Sequence, residues 1–445
     1  MAENTLTTQK DILPAGMRTF LVIWFGQLIS TVGSGLTGFA LSVYIFQETG
    51  SATQLGVAML ATILPSLLVS PLVGALVDRW DRRWVMIASD TGAALSTLAI
   101  WALLSTGHLQ VWHIYVANML SSILGSFQQP AYMASITLLV PKNHLGRASG
   151  LGQLSEAISR IAAPTLAGLL VVTIQVQGVI LIDFATFLFA MLTLLLVRIP
   201  RPEATAEGQV GKGSLLRESV FGWHYIRARP GLLGMMILSA CVNLAFGFQN
   251  VLFTPLILSF TTPAVMGGIL SVGGMGLLAG SLLMSTWGGT EPKMHGLLGS
   301  LFLLGLFAAL TGWRPHPLLI GAANVCLFSL IPIVNGSSQA IWQAKVAPDV
   351  QGRVFATRRL IALVAVPISY LAAGPLADQV FEPLMAEGGA WAGVLGPIIG
   401  AGPGRGIGLV FVVVGCLVAL FAVLGYLNPR IRCVEDELPD YALAQ

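Results

Sequence analysis

Polar positions along this chain are sparse and regularly spaced, and they cut it into long apolar stretches. Runs near or above the ~20 residues that cross a bilayer as a helix fall at 19–46, 53–77, 84–105, 111–139, 149–174 and 178–198. A second set follows at 231–259, 263–285, 295–313, 317–344, 354–382 and 405–427. Between the sets, Pro200 to Gly213 is polar and breaks the pattern. The period predicts an all-α membrane protein with twelve transmembrane helices, six on each side of that break.

The basic residues test this count independently. All Lys and Arg residues except Arg160, Arg314 and Arg405 fall at alternate ends of the runs, which under the positive-inside rule places both termini and the central break in the cytoplasm. An internal repeat supports two bundles: Gly74 maps onto Gly280, and Gly146-Arg147 onto Gly352-Arg353, at an offset of 206 residues. The expected organisation is two pseudo-symmetric six-helix bundles over 1–198 and 230–428, a cytoplasmic linker with an interfacial helix over 199–229, and a cytoplasmic tail over 429–445. Within the linker, Leu216, Val220 and Trp223 share one helical face, and Arg217, Glu218 and His224 lie elsewhere, as in a helix lying flat on the inner surface.

Composition narrows the class further. Hydrophobic residues make up 55% of 445 positions and charged ones 10%, against about 25% charge in a soluble domain. Cys241, Cys326, Cys416 and Cys433 are far apart and read as small packing residues rather than disulfide or metal ligands. Met1 to Gly16 is polar, and the first apolar run is too long for a signal segment. Gly208 to Ser214 lacks phosphate-loop spacing, and Gly400 to Gly406 has Arg405 where a dinucleotide fingerprint needs its third glycine; the latter reads as a flexible external loop. The chain is therefore expected to be no enzyme, with no cofactor, no metal and no nucleic-acid partner. Uphill movement of a solute would then need an ion gradient.

Ionisable groups inside spans are costly and mark function. Glu156 and Arg160 stand at i,i+4 in the fifth run, Asp90 two turns into the third, and Asp183 near the outer end of the sixth. These four are the candidate proton-coupling residues, led by Glu156, because motion of a guanidinium relative to a carboxylate would let the site load and release a proton. Asp378, near the outer end of the eleventh run, reads as an anchor between helices or as a group solvated at the interface. Uncharged polar groups form stripes: Gln27, Ser30 and Ser34; Asn118, Ser122 and Gln129; Asn243 and Asn250; and Asn335, Ser338 and Gln339 with Trp342. Each stripe serves equally as hydrogen-bond glue between helices. Together they outline a central cavity suited to a small amphipathic substrate.

Between the second and third runs stands Gly74-Ala-Leu-Val-Asp78-Arg79-Trp-Asp81-Arg82-Arg83. The glycine admits a neighbouring helix, and the Asp78 carboxylate one turn on can sit at that neighbour's positive N-terminal end. Gly74, Asp78, Arg79, Arg82 and Arg83 thus form a candidate conformational latch, with Asp78 expected to meet the eleventh helix near Gly352 to Arg359 and to favour the outward-facing state. The pattern resembles the signature loop of the major facilitator superfamily of secondary transporters, which usually has Gly where this chain has Asp81. Ser159 to Gly168, with Pro164 among small residues, is similar to the fifth-helix motif of antiporters in that superfamily. Gly26-Gln27, Ser30, Gly33-Ser34, Leu181 to Phe187 and the tail Arg432 to Asp440 resemble its macrolide-efflux branch of drug:proton antiporters.

That resemblance implies the major facilitator fold, alternating access, and export of amphipathic drugs or natural products in exchange for protons. It also implies a monomer in a bacterial inner membrane. Export of a siderophore or endogenous peptide, a proton-coupled nutrient importer of the same fold, and a non-transporting scaffold or sensor remain open at this point. The fourth-helix arginine of many drug exporters is absent, and Arg160 is the basic residue at depth.

Overall fold

The computed structural model describes residues 15–77, 80–140, 145–197, 223–346 and 351–438. Its main helices are α1 (Ala15–Thr49), α2 (Ala52–Val77), α3 (Arg82–Ser105), α4 (Val111–Leu139) and α5 (Leu145–Leu196) in the first half. The second half has α6 (Pro230–Leu258), α7 (Pro263–Trp287), α8 (Lys293–Trp313), α9 (Pro317–Lys345), α10 (Gln351–Pro375) and α11 (Arg405–Leu427). The boundaries follow local chemistry. Pro230, Pro263 and Pro317 open their helices, where a missing amide N–H costs nothing, and Gly288 closes α7 in the left-handed region at φ 78°.

The break expected between the fifth and sixth runs, 149–174 and 178–198, falls where the two arms of α5 meet: at Gln175 φ is 60° and ψ 178°, with helix on either side. That backbone region is costly for a side chain other than glycine. The chain reverses there, because Gly35 packs against Ala163 of the first arm and Gly33 against Thr186 of the second. Ten helices are long and apolar enough to cross a membrane, one of them holding both arms of α5. With the second arm and the more polar α4, the described residues make twelve traverses, as expected.

The traverses pack as two bundles. In the first, α1 lies on both arms of α5, and α4 on α2 and α3; in the second, α9 lies on α7 and α8, α11 on α8 and α6, and α10 on α6. Alternation of the helices brings Arg82, Arg83, Arg227, Arg229, Lys293, Lys345, Arg430 and Arg432 to one end of the molecule, called here the basic end. Two of the three exceptions lie at the opposite, far end and have a structural task. Arg314 Nη2 donates to the Pro397 carbonyl at 2.9 Å and Arg405 Nη1 to that of Ile399 at 3.3 Å. Glu382 accepts from the amides of Gly404 and Ile407 at 3.1 and 2.8 Å, capping α11. The segment from Gly400 to Gly406, expected to be a flexible loop, is instead a tethered helix cap, because these partners satisfy its backbone.

The bundles meet along two seams, α2 against α10 and α5 against α7, in the far-end half. A methyl on Gly374 would lie 2.3 Å from the Thr53 Cα, and one on Gly267 2.2 Å from the Pro164 carbonyl oxygen, so the backbones touch at both crossings. Val43, Ala52, Val251, Leu252, Met266 and Tyr370, drawn from both bundles, fill the space between the seams. Toward the basic end Gly280 of α7 turns away from α5 to pack on the Ser329 backbone of α9. The tail returns to the second bundle, where Glu435 Oε2 accepts from the Met294 amide at 2.7 Å at the start of α8 and Lys345 Nζ donates to the Leu438 carbonyl at 2.7 Å.

Candidate transport pathway

The close approach of the bundles at the far end leaves a cleft of about 800 Å³ in the other half, walled by α1, α4 and α5. Gln27, Gln128, Gln129, Tyr132, Glu156 and Arg160 line it. Glu156 and Arg160 form an ion pair at 2.8 Å with side chains 61% and 56% exposed, so both charges face the cleft and neutralise each other. It is the one such pair found among the described residues.

A second cavity, of about 300 Å³, lies inside the first bundle and is lined by Ser30, Ser34, Asn118, Asp90 and Asp183 among others. Here the fold unites two carboxylates that the chain separates by α4 and most of α5. Asp183 is 8% exposed and accepts from Ser34 Oγ at 3.4 Å; Asp90 accepts from Gln27 Nε2 at 3.2 Å. Gln27 in turn accepts from Gln128 Nε2 at 3.0 Å through its own Oε1, linking this cavity to the cleft. Gly33 leaves room for Asp183, since a Cβ there would stand 2.9 Å from its Oδ1. Neither carboxylate has a cationic partner among the described residues.

The second bundle holds a third cavity, of about 260 Å³, where Asn243, Asn335 and Ser338 line the wall together with Arg358. Arg358 was not singled out from the sequence, being one of several arginines near that end. Its guanidinium donates to Ser338 Oγ at 3.0 Å and Gln339 Oε1 at 3.1 Å and lies 5.0 Å over the Trp342 ring, all neutral partners.

Other expected residues are placed differently. Trp342 is fully buried in the core of the second bundle rather than lining a cavity, because its turn of α9 lies past Ser338 where the helices close around it. Asn250 is exposed two turns beyond Asn243 and lines none of these cavities. Ser122 Oγ accepts from the Ser66 amide at 3.2 Å, and Asn118 Nδ2 donates to the Ala58 carbonyl at 3.2 Å, so both also join α4 to α2.

In the expected latch, Asp78 and Arg79 lie outside the described residues, as does the linker helix as far as residue 222; Gly74 falls within α2. Asp81 needs no left-handed backbone. At φ −69° it N-caps α3, accepting from the Arg83 amide at 3.0 Å. Arg83 donates from Nε to the Leu194 carbonyl at 3.0 Å and from Nη2 to that of Leu195 at 2.7 Å, closing the C-terminal end of α5.

Two six-helix bundles that touch in the far-end half, with a cleft along the first bundle in the other half, have the architecture of an alternating-access membrane transporter. The Major Facilitator Superfamily profile matches residues 23–370, and the chain belongs to that family. Macrolide efflux protein A of Streptococcus pyogenes is 30% identical over 375 residues, which cover 81% of this chain and 90% of that protein. The multidrug efflux pump Tap of Mycolicibacterium fortuitum is 25% identical over 369 residues, 80% of this chain and 89% of the pump. Among solved structures, a bacterial homologue of the human lysosomal transporter Spinster, inward-facing and unoccupied, superposes with a TM-score of 0.69 at 14% identity, covering 95% of this chain and 98% of that one.

Proposed function

We propose that this protein exports amphipathic drugs of the macrolide type across the bacterial inner membrane in exchange for protons. Its basic end, with both termini, faces the cytoplasm, so the conformation described here is open inward. The observation that carries the reading is the pair Asp90 and Asp183, two carboxylates in one intramembrane cavity with no cationic partner among the described residues. In a low-dielectric site each must be neutralised, by a proton or by a cationic ligand. A proton arriving from outside and a drug arriving from the cytoplasm then compete for the same charge, which is the elementary requirement of antiport.

Glu156 is a weaker coupling candidate than the sequence implied, since Arg160 already neutralises it and water reaches both. The pair lies deeper along α5 than Ala148 and Gly152, which line the same cleft nearer the basic end. Gln27 and Gln128 connect the cleft to the carboxylates. The ester, hydroxyl and glycosidic oxygens of a macrolide are hydrogen-bond acceptors, and Arg358 with Asn243 and Asn335 supplies donors in the second bundle. The similarity to efflux proteins supports the substrate class, and the sparse polar lining favours an amphipathic solute over a sugar or peptide.

Expression in an efflux-deficient bacterial host tests the reading. Accumulation of a labelled macrolide should fall, and Asp183→Asn should restore it to the level of the empty host at equal protein abundance. Unchanged accumulation with the wild-type protein, across macrolides and other amphipathic cations, would refute drug export.

A further inference from the structure

Asp378 sits in the π-helical turn Leu376–Phe381 that extends α10. It belongs to the second bundle, yet its carboxylate reaches the start of α2 in the first. Oδ2 accepts from Ser51 Oγ at 2.7 Å, the Thr53 amide at 2.9 Å and Thr53 Oγ1 at 2.7 Å, while Oδ1 accepts from the Ala52 amide at 3.1 Å. The first amides of a helix have no partner of their own, and the helix dipole adds positive potential there. Ser51, just before the helix, caps the Gln54 amide at 3.3 Å, but the Ala52 and Thr53 amides are capped from the other bundle, 325 residues along the chain for Thr53.

Three features around it point to a moving contact rather than a static one. The helices cross in backbone contact at Gly374 and Thr53, so the carboxylate can reach α2 only while the bundles touch. The supporting turn is π-helical, a geometry frequent at functional sites. Four residues on, Glu382 caps α11 within its own bundle through Gly404 and Ile407, a contact that opening the far end leaves intact. Asp378 is half-buried near the membrane surface, so water can replace its partners on opening. That makes the contact reversible, whereas a charge stranded in the bilayer centre would not release.

We propose that Asp378 is the latch of the far end: by capping α2 across the bundle interface it holds that end closed, and its release is a required step of opening. The proposal rests on the alternating-access reading above. It is tested without substrate or protons, so its failure and the failure of drug export are distinguishable.

Spin-label pairs in a cysteine-free background report both ends, Gln47 with Glu387 at the far end and Trp84 with Glu291 at the basic end, all exposed positions. Asp378→Asn keeps the shape and removes the charge. In lipid nanodiscs it should raise the ratio of far-end-open to far-end-closed molecules about three- to tenfold, lengthening the Gln47–Glu387 distance and shortening the Trp84–Glu291 distance. The variant Thr53→Ala, which removes a hydroxyl donor to Asp378 and keeps both the charge and the Ser51 cap of Gln54, should move both distances the same way by less. It decides alone if Asp378→Asn does not fold. Glu382→Gln should leave both distributions in place, because its contact lies within one bundle. Unchanged distances in the folded Asp378 and hydroxyl variants, lengthening at both ends, or an equal shift in Glu382→Gln would overturn the latch; a merely structural role would lower the melting temperature without moving the two ends oppositely.

Discussion

Gly267→Ala is the smallest change that should shift the transporter between its two states. The added methyl would stand 2.2 Å from the Pro164 carbonyl oxygen, where ordinary contact begins near 3.4 Å, so α7 and α5 must part by about 1.2 Å at their crossing. Overpacking of this kind costs about 1–3 kcal/mol. The Ser271 hydroxyl, one turn away, donates to the Ile161 carbonyl and accepts from Thr165, and that network loosens at about 1 kcal/mol per bond. The cost falls on the far-end-closed state alone, because the contact exists only there. A penalty of about 2 kcal/mol moves the equilibrium about 30-fold. Thr31, exposed on the cleft wall, gives the assay: as a single cysteine it should react severalfold more slowly with an impermeant maleimide applied from the basic end. Gly268→Ala is the control, since its methyl would meet open space. Equal labelling in Gly267→Ala and Gly268→Ala would refute the claim that this seam closes the far end.

Five further substitutions read other parts of the account. Asp183→Asn and Asp90→Asn should each abolish drug accumulation driven by a pH gradient in everted vesicles while leaving downhill exchange, whereas Glu156→Gln should slow transport without uncoupling it. Arg83→Ala removes two bonds to the end of α5 and should lower stability in detergent by about 1–3 kcal/mol, seen as an earlier unfolding midpoint with transport retained. Gln175→Gly relieves the backbone at φ 60° and should raise stability by about 1 kcal/mol; a lower midpoint would contradict the strain assigned there.

The spans were legible because each membrane helix must be apolar over its whole length, and runs such as 111–139 and 405–427 reproduce α4 and α11 residue for residue. The turn between the fifth and sixth runs was placed as well, but not its positive φ at Gln175, since nothing in a glutamine signals that conformation. Helical spacing identifies a face but not the neighbour it meets. Asn243 and Asn335 therefore reached a cavity, while Asn250 and Trp342, on the same stripes, did not. The carboxylates divide in the same way. Asp90 and Asp183 were recognisable as costly groups in spans, but their common cavity forms only where α1, α3, α4 and α5 converge. Asp378 was read as an anchor between helices, but its partner on α2 was not legible, its donors being more than 300 residues away.

The central claim, drug efflux driven by protons through Asp90 and Asp183, is tested most directly by proton movement in proteoliposomes without an imposed gradient. A pH-sensitive dye in the lumen should report proton flux out of the vesicle when a macrolide is added outside to protein oriented with its basic end outward. The flux should depend on drug concentration and vanish in the Asp90→Asn/Asp183→Asn double variant, which should still exchange drug. Drug entry with no accompanying proton flux, or full flux in the double variant, would contradict the account.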